Sequence, residues 1–334
     1  MEEELTMLDN ELIEKKNKIV ETITGLLEMV SNEKNEFLVA KNNKIKYMNE
    51  ILDRGIKSLE EQYTREKSLI KEKYEKKLVK RACMVGINYE DSPYELYGCV
   101  NDVIKLKEIL KSKYGYNESN IKTIVNKQGT RENIIDAFVE LLKSGEEGDQ
   151  LFFSFSGHGL YMTDDNKEEL DGNDELIVSV DYYAIFDDEL KYIIDTYLKP
   201  NVKLFALFDN CNSGTVLDLP YQYYKSSTMN GSISMNSSET PIHHYKNKDT
   251  ISSVICLSGC RDDQESMDAY LQGEYNGAMT WALVNVLSEN DTENMSWMEC
   301  ISKIRSKLKE NSFMQIPQLT SGQQIDMTST YVDV

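Results

Sequence analysis

From residue 82 onward the chain alternates short, continuously apolar runs with longer amphipathic stretches, and this rhythm constrains the fold more than any other feature. Residues 82–88, 121–125, 151–155, 202–208 and 254–257 are rich in Val, Ile, Leu and Phe and read as strands. Between and after them, 102–114, 132–143, 188–198, 277–288 and 297–309 carry apolar residues at helical spacing. Strands that are apolar throughout, rather than alternately, must be covered on both faces. Strand–helix alternation supplies that cover. The expected fold is therefore α/β, a mainly parallel sheet sandwiched between helices. In such sheets the ligands lie beyond the carboxyl ends of the strands.

Residues 1–80 follow a different pattern. They contain no proline and are dense in Glu and Lys. Leu5, Leu12, Ile19 and Leu26 recur every seven residues, with Ile23 and Val30 four beyond the last two. Leu52, Ile56, Leu59, Tyr63 and Ile70 repeat the pattern. This reads as a charged helical segment: a hairpin or coiled coil broken around 31–43, or one long amphipathic helix packed on the following domain. The segment is a candidate for self-association or for binding a helical partner. The expected division is 1–80 helical and 81–334 α/β, with a Ser/Asn-rich loop at about 225–250.

Charge separates the two parts as well. Residues 1–81 hold 17 acidic and 17 basic side chains, so the whole net charge of −20 falls on 82–334. An acidic domain repels nucleic acid and favours basic peptides or metal ions. No run approaches the ~18 apolar residues of a membrane span, and the opening Met-Glu-Glu-Glu has the wrong charge for a signal peptide. The expected location is the cytoplasm. The six cysteines (Cys83, Cys99, Cys211, Cys256, Cys260 and Cys300) are scattered singly, with no C-x-x-C pair or Cys/His cluster; reduced, buried thiols are the default.

Two short motifs break that default, and each follows a strand. Ser156-Gly157-His158-Gly159 follows 151–155 and flanks a histidine with glycines that let the backbone turn sharply. A plain turn is compatible with those four residues alone. Asp209-Asn210-Cys211-Asn212-Ser213-Gly214 follows 202–208 and sets a cysteine among small polar residues, where backbone N–H groups can face a developing oxyanion. The histidine comes first, 53 residues before the cysteine. Caspases place their histidine about 50 residues upstream of the nucleophile, whereas papain-like enzymes reverse the order. On this reading Cys211 is the nucleophile and His158 its proton-transfer partner. The backbone N–H groups of Gly159 and Cys211 form the oxyanion hole.

Further motifs extend the match: Tyr97-Gly98-Cys99-Val100-Asn101-Asp102, Asp171-Gly172-Asn173-Asp174-Glu175, Asp187-Asp188-Glu189-Leu190, the continuation of the cysteine motif to Tyr221, and Ser258-Gly259-Cys260-Arg261-Asp262-Asp263-Gln264. Together they make residues 82–334 resemble a type I metacaspase. The resemblance implies a caspase-like α/β sandwich, a monomeric catalytic domain, cleavage after Arg or Lys, and Ca2+ as an activator rather than a catalytic metal. It maps a basic-specificity pocket onto Cys99, Asp102, Ser156 and Asp209, and a calcium site onto Asp174, Asp187, Asp188 and Asp218. Charge logic supports the first independently, since two carboxylates beside the nucleophile favour a guanidinium or ammonium. Asp102, Asp187 and Asp188 also suit helix N-termini without further function.

Asn212 stands where the family usually has a second histidine, and the charged helical segment replaces a Pro/Gln-rich prodomain. Lys225 offers a basic residue in the flexible loop and is a candidate self-cleavage site, as are Lys80 and Arg81 between the two parts. The competing expectation is a catalytically weak or inactive scaffold assembling through the N-terminal helices; an intact Cys211/His158 pair speaks against it.

Overall fold

The computed structural model describes residues 2–31, 38–75, 78–163, 173–211, 216–223, 242–243, 248–260, 268–271, 273–289 and 294–334. The chain forms two compact units, residues 1–77 and 78–334.

The first unit is a pair of helices, α1 (Glu2–Ser31) and α2 (Leu38–Glu75). They run antiparallel. Lys16 pairs with Glu60 at 2.7 Å, the Tyr63 hydroxyl donates to Asp9, and Lys67 donates to the Tyr63 oxygen at 2.7 Å. Leu5, Leu12 and Ile19 are half-buried along the seam and Ile23 is buried. Leu26 is 44% exposed while its neighbour Leu27 is half-buried, so the seven-residue repeat slips by one residue there. That slip follows from 3.6 residues per turn, which drifts against a strict seven-residue repeat.

The second unit is built on an eight-stranded sheet of order β2-β1-β3-β7-β10-β13-β8-β9. Its parallel part comprises β1 (Lys80–Gly86), β2 (Ile121–Val125), β3 (Gln150–Ser156), β7 (Lys203–Asp209) and β10 (Val254–Ser258). Beyond β10 the short strands β13 (Gln318–Ser321), β8 (Tyr221–Tyr223) and β9 (Ile242–His243) add antiparallel. Two smaller sheets stand apart. One joins β4 (Gly159–Thr163), β5 (Asn173–Val178) and β6 (Ala184–Phe186); the other is a hairpin of β11 (Asp268–Leu271) and β12 (Glu274–Gly277). Sequence patterning missed these, because strands of three to six residues partly exposed on one side leave no long apolar run.

Period-two alternation sorts the strand side chains into two cores. Met84, Phe152, Phe205, Leu207 and Leu257 face α3 (Cys99–Ser112), α6 (Ala278–Leu287) and α7 (Trp297–Glu310). Val85, Phe153, Phe155, Ala206 and Phe208 face α4 (Arg131–Ser144) and α5 (Asp187–Tyr197). Every expected strand and helix is present, with ends shifted by at most three residues. The mainly parallel sandwich follows.

Lys80 and Arg81, expected in a connector, instead open β1, which lies between β2 and β3. Arg81 is tied to Asp149 at 2.6 Å, and Lys80 donates to the terminal Val334 oxygen at 3.0 Å. Both residues pair with β3, opposite Gln150 and Leu151, while pairing with β2 begins only at Ala82, so they lie in a strand rather than in a free connector.

Asp149 is 1% exposed and accepts from Arg81 and from the backbone N–H groups of Val79 and Glu146, both at 3.0 Å. Burial alone would raise its carboxyl, but these donors outweigh it and hold the group below its ordinary 3.8. A depressed carboxyl contributes stability that is present above the unfolded value and lost as pH falls through the folded one. Replacing Asp149 by Ala should therefore cost about 2–3 kcal/mol at pH 7. Denaturant unfolding of both proteins at pH 7 and pH 3 checks this; the difference should shrink at the lower pH.

Candidate active site

The two motifs meet because of one register. Strands β3 and β7 are adjacent and parallel, with Ser156 opposite Asp209. His158 and Cys211 each lie two residues past that pair, at the carboxyl edge. The segments touch: a Cβ on Gly159 would fall 2.0 Å from Asn210 Nδ2 and 2.2 Å from the Cys211 carbonyl oxygen, so only glycine fits. Asn210 Nδ2 in turn donates to that carbonyl at 2.8 Å.

All six cysteines are free thiols, and five are buried. Burial pushes Cys83, Cys256 and Cys300 up to about 12, which keeps them protonated and inert. Cys211 is partly exposed, as a nucleophile must be. His158 Nε2 lies 2.7 Å from the Tyr94 carbonyl oxygen. A carbonyl only accepts, so Nε2 carries the hydrogen and the neutral ring keeps its lone pair on Nδ1.

A residue absent from the expected site secures the histidine's backbone. Tyr89 emerges three residues past β1 and is 1% exposed. Its hydroxyl accepts from the His158 N–H at 3.0 Å and donates to the Val178 carbonyl at 2.5 Å, while the Val178 N–H bonds the His158 carbonyl at 3.0 Å. The tyrosine oxygen is thus inserted where one of the two ladder bonds of this pair would run. Its ring lies 4.6 Å, centroid to centroid, from the imidazole. Gly157 leaves room for this wedge, since a Cβ there would lie 2.8 Å from the Tyr89 oxygen. The next pair on β4 and β5, Gly159 with Ile177, is then of the non-hydrogen-bonded kind, which turns the Gly159 N–H away from β5. No periodicity marks Tyr89; its only signal is its place just past a strand end.

Of the four expected pocket residues, Asp102, Ser156 and Asp209 come together, and Cys99 lies one turn before Asp102. Asp102 is buried in the first turn of α3, one turn after Cys99, which is also buried. It accepts from Ser156 Oγ at 2.9 Å and from the Gly277 N–H at 3.0 and 3.1 Å. Asp209, 6% exposed, accepts from the Thr280 N–H in the first turn of α6 at 2.7 Å, where the helix dipole favours negative charge. A Cβ on Gly277 would meet Asp209 Oδ2 at 2.3 Å and Asp102 Oδ2 at 2.6 Å. The two carboxylates therefore converge on one backbone point. Gly277 and Thr280 were not legible as site residues, because their part in it comes from the start of α6.

Of the expected calcium ligands, Asp187, Asp188 and Asp218 come together, with one oxygen from each lying within 4.8 Å of the others. Asp187 and Asp218 are buried and Asp188 is exposed. Asp187 also accepts from the Glu175 N–H at 2.6 Å and the Asp188 N–H at 2.8 Å. Asp218 takes a φ of +45°, a conformation aspartate tolerates better than most residues. Three carboxylates, two of them buried, fit a hard oxygen-seeking cation. Asp174, on β5, is not among these three grouped carboxylates; its neighbour Glu175 reaches Asp187 through its backbone N–H. Lys225 and Asn212 lie outside the described residues.

Comparison with known proteins agrees with this geometry. A family model for the metacaspase peptidase C14 domain matches residues 80–220. Metacaspase-1 of Meyerozyma guilliermondii is 34% identical over 76% of this chain and 72% of its own length, and Metacaspase-1 of Scheffersomyces stipitis is 32% identical over 76% and 73%. Among solved structures, a protein from Geobacter sulfurreducens superposes with a TM-score of 0.54 at 24% identity, covering 76% of this chain and 97% of its own, which supports the fold. The sandwich is caspase-like, and the chain belongs to the metacaspase family of cysteine peptidases.

Proposed function

We propose that the protein is an endopeptidase that cuts after Arg or Lys, using Cys211 as nucleophile and His158 as base, with Ca2+ as activator. The observation that carries this is the β3–β7 register, which sets both motifs at one strand edge beside two converging carboxylates. His158 Nδ1 takes the Cys211 proton, and the thiolate attacks the scissile carbonyl. The N–H groups of Gly159 and Cys211 stabilise the oxyanion, the former turned away from its strand partner. The imidazolium then protonates the leaving amine, and water releases the acyl group. Asp102 and Asp209, with Cys99 and Ser156, form the pocket for the cationic side chain.

When bound, calcium would neutralise the charge that gathers at Asp187, Asp188 and Asp218 and so fix the start of α5 against the segment that follows the nucleophile. Asp174 completes the set inherited from the family resemblance. Lys225 is proposed as the point of self-cleavage, because it follows that segment and matches the specificity. By the family resemblance the catalytic unit acts as a monomer, and its proposed location is the cytoplasm. Among the described residues no helix is long and apolar enough to cross a membrane.

Fluorogenic peptides ending in Arg, Lys or Asp test the whole reading. Arg and Lys peptides should be cut and Asp peptides not, activity should vanish in Cys211→Ala, and chelator should remove most of it. In Asp188→Ala the calcium needed for half-activation should rise about tenfold, as expected for losing one ligand charge. On a gel, the wild type should be clipped with calcium while Lys225→Ala and Cys211→Ala stay whole. Uncut peptides from folded enzyme with calcium would overturn the reading.

Asp209→Asn keeps an acceptor for the Thr280 N–H but removes one charge. It should lower kcat/KM on Arg peptides by roughly a hundredfold, within the 2–5 kcal/mol of a lost charge partner, with little change in unfolding temperature. Tyr89→Phe keeps the ring but strips the bridging oxygen. Leaving the His158 N–H without it should cut kcat about tenfold with KM nearly constant, since 1.4 kcal/mol lies within the cost of one unsatisfied donor.

A further inference from the structure

We infer that Tyr97, Tyr270 and Tyr275 form a second specificity subsite, receiving an aromatic or aliphatic side chain two residues away from the basic one. The inference rests on the acidic-pocket reading given above.

The three rings are 53%, 64% and 41% exposed. They nevertheless form one surface: Tyr97 and Tyr275 lie 5.1 Å apart at 40°, and Tyr270 and Tyr275 lie 5.1 Å apart at 66°. Single exposed apolar residues call for no explanation, whereas a contiguous aromatic surface marks a place that binds something. Tyrosine offers a large apolar face with few rotatable bonds, and so costs little entropy on contact.

Position supplies the occupant. Tyr97 immediately precedes Gly98 and Cys99, where α3 begins. Tyr270 and Tyr275 belong to the β11–β12 hairpin, opposite each other in its register. That hairpin is pinned to α3, the helix carrying Asp102. Asn101 Nδ2 donates to the Tyr275 carbonyl at 2.8 Å, Lys105 pairs with Glu274 at 2.7 Å, and the Gly277 N–H bonds Asp102. A surface held this way is formed before the ligand arrives.

Alternation sets the spacing. On β12, Asn276 is fully buried, so Tyr275 and Gly277 share the opposite face. The missing Cβ of Gly277 points at the Asp209 and Asp102 carboxylates. Two strand residues span about 6.7 Å, the same distance that separates alternate side chains of an extended peptide. A peptide lying along β12 with its Arg or Lys at Gly277 therefore brings the side chain two residues away onto Tyr275. An acidic side chain there would lie near Asp102 and Asp209 and be rejected.

Internally quenched peptides carrying one Arg, with Gly, Phe, Leu or Glu two residues before or after it, test the inference. For wild type, kcat/KM should be about tenfold higher with Phe or Leu than with Gly at one of these positions, and lowest with Glu. The Phe/Gly ratio should fall towards one in Tyr275→Ser, drop part of the way in Tyr97→Ser, and survive in Tyr275→Phe, which keeps the ring. It should not change in Tyr192→Ser, whose exposed tyrosine lies on α5. Arg peptides cut without regard to the neighbouring side chain, or a ratio unaltered in Tyr275→Ser, would overturn the subsite while leaving the acidic pocket standing. A wild type that cuts no Arg peptide overturns the acidic-pocket reading and the subsite with it.

Discussion

The parallel pairing of β3 with β7, Ser156 opposite Asp209, is the constraint on which the chemistry depends. A shift of one residue would send every side chain on one strand to the opposite face. Phe153 and Phe155 would trade cores with Phe152 and Ser154, and the buried aromatic packing resists that strongly. The same packing that stabilises the sheet thus holds the histidine and cysteine segments level. Gly159 then allows the two backbones to approach closer than any side chain permits. The alignment of the two motifs is a consequence of core packing, not an addition to it.

Charge at the strand edge follows a similar economy. Asp102 and Asp209 are buried carboxylates, and such groups require donors. The donors come from Ser156 at the end of β3 and from the backbone at the start of α6, where N–H groups have no partners within the helix. Those backbone bonds favour the ionised form of each carboxyl group, which is the form the proposed pocket needs to attract a cation. Gly277 stands at the centre because a Cβ would collide with both carboxylates. The cluster of Asp187, Asp188 and Asp218 lies at the start of α5, another helix N-terminus, and uses the same preference for negative charge.

The helical pair at residues 1–77 is stabilised differently. Its seam is narrow and mostly half-buried, with Ile23 the only fully buried apolar side chain among its described residues. Exposed pairs such as Lys15 with Glu11 add little. Residues 1–81 hold equal numbers of acidic and basic side chains, so the whole −20 falls on residues 82–334.

The sequence by itself determined the class of fold, because strands apolar on both faces leave no choice but a covered parallel sheet. It also carried the two motifs proposed as catalytic, whose order and separation are properties of the chain. Most residues of the proposed pocket came from motif likeness, and Asp102 and Asp209 do lie near a helix start and a strand end. What tertiary structure alone decided is everything that depends on elements distant in sequence meeting. The Tyr89 wedge joins residues 69 and 89 positions apart. Gly277 reaches Asp102 across 175 positions. Asp174 was grouped with the metal ligands by motif, yet three other carboxylates converge without it. Lys80 and Arg81 looked like a connector by composition and instead open a strand inside the sheet, where Asp149 supplies Arg81 with a buried partner. Local pattern reports what each segment can form, whereas a carboxylate or hydroxyl acquires its role only from the groups that packing brings within hydrogen-bond reach.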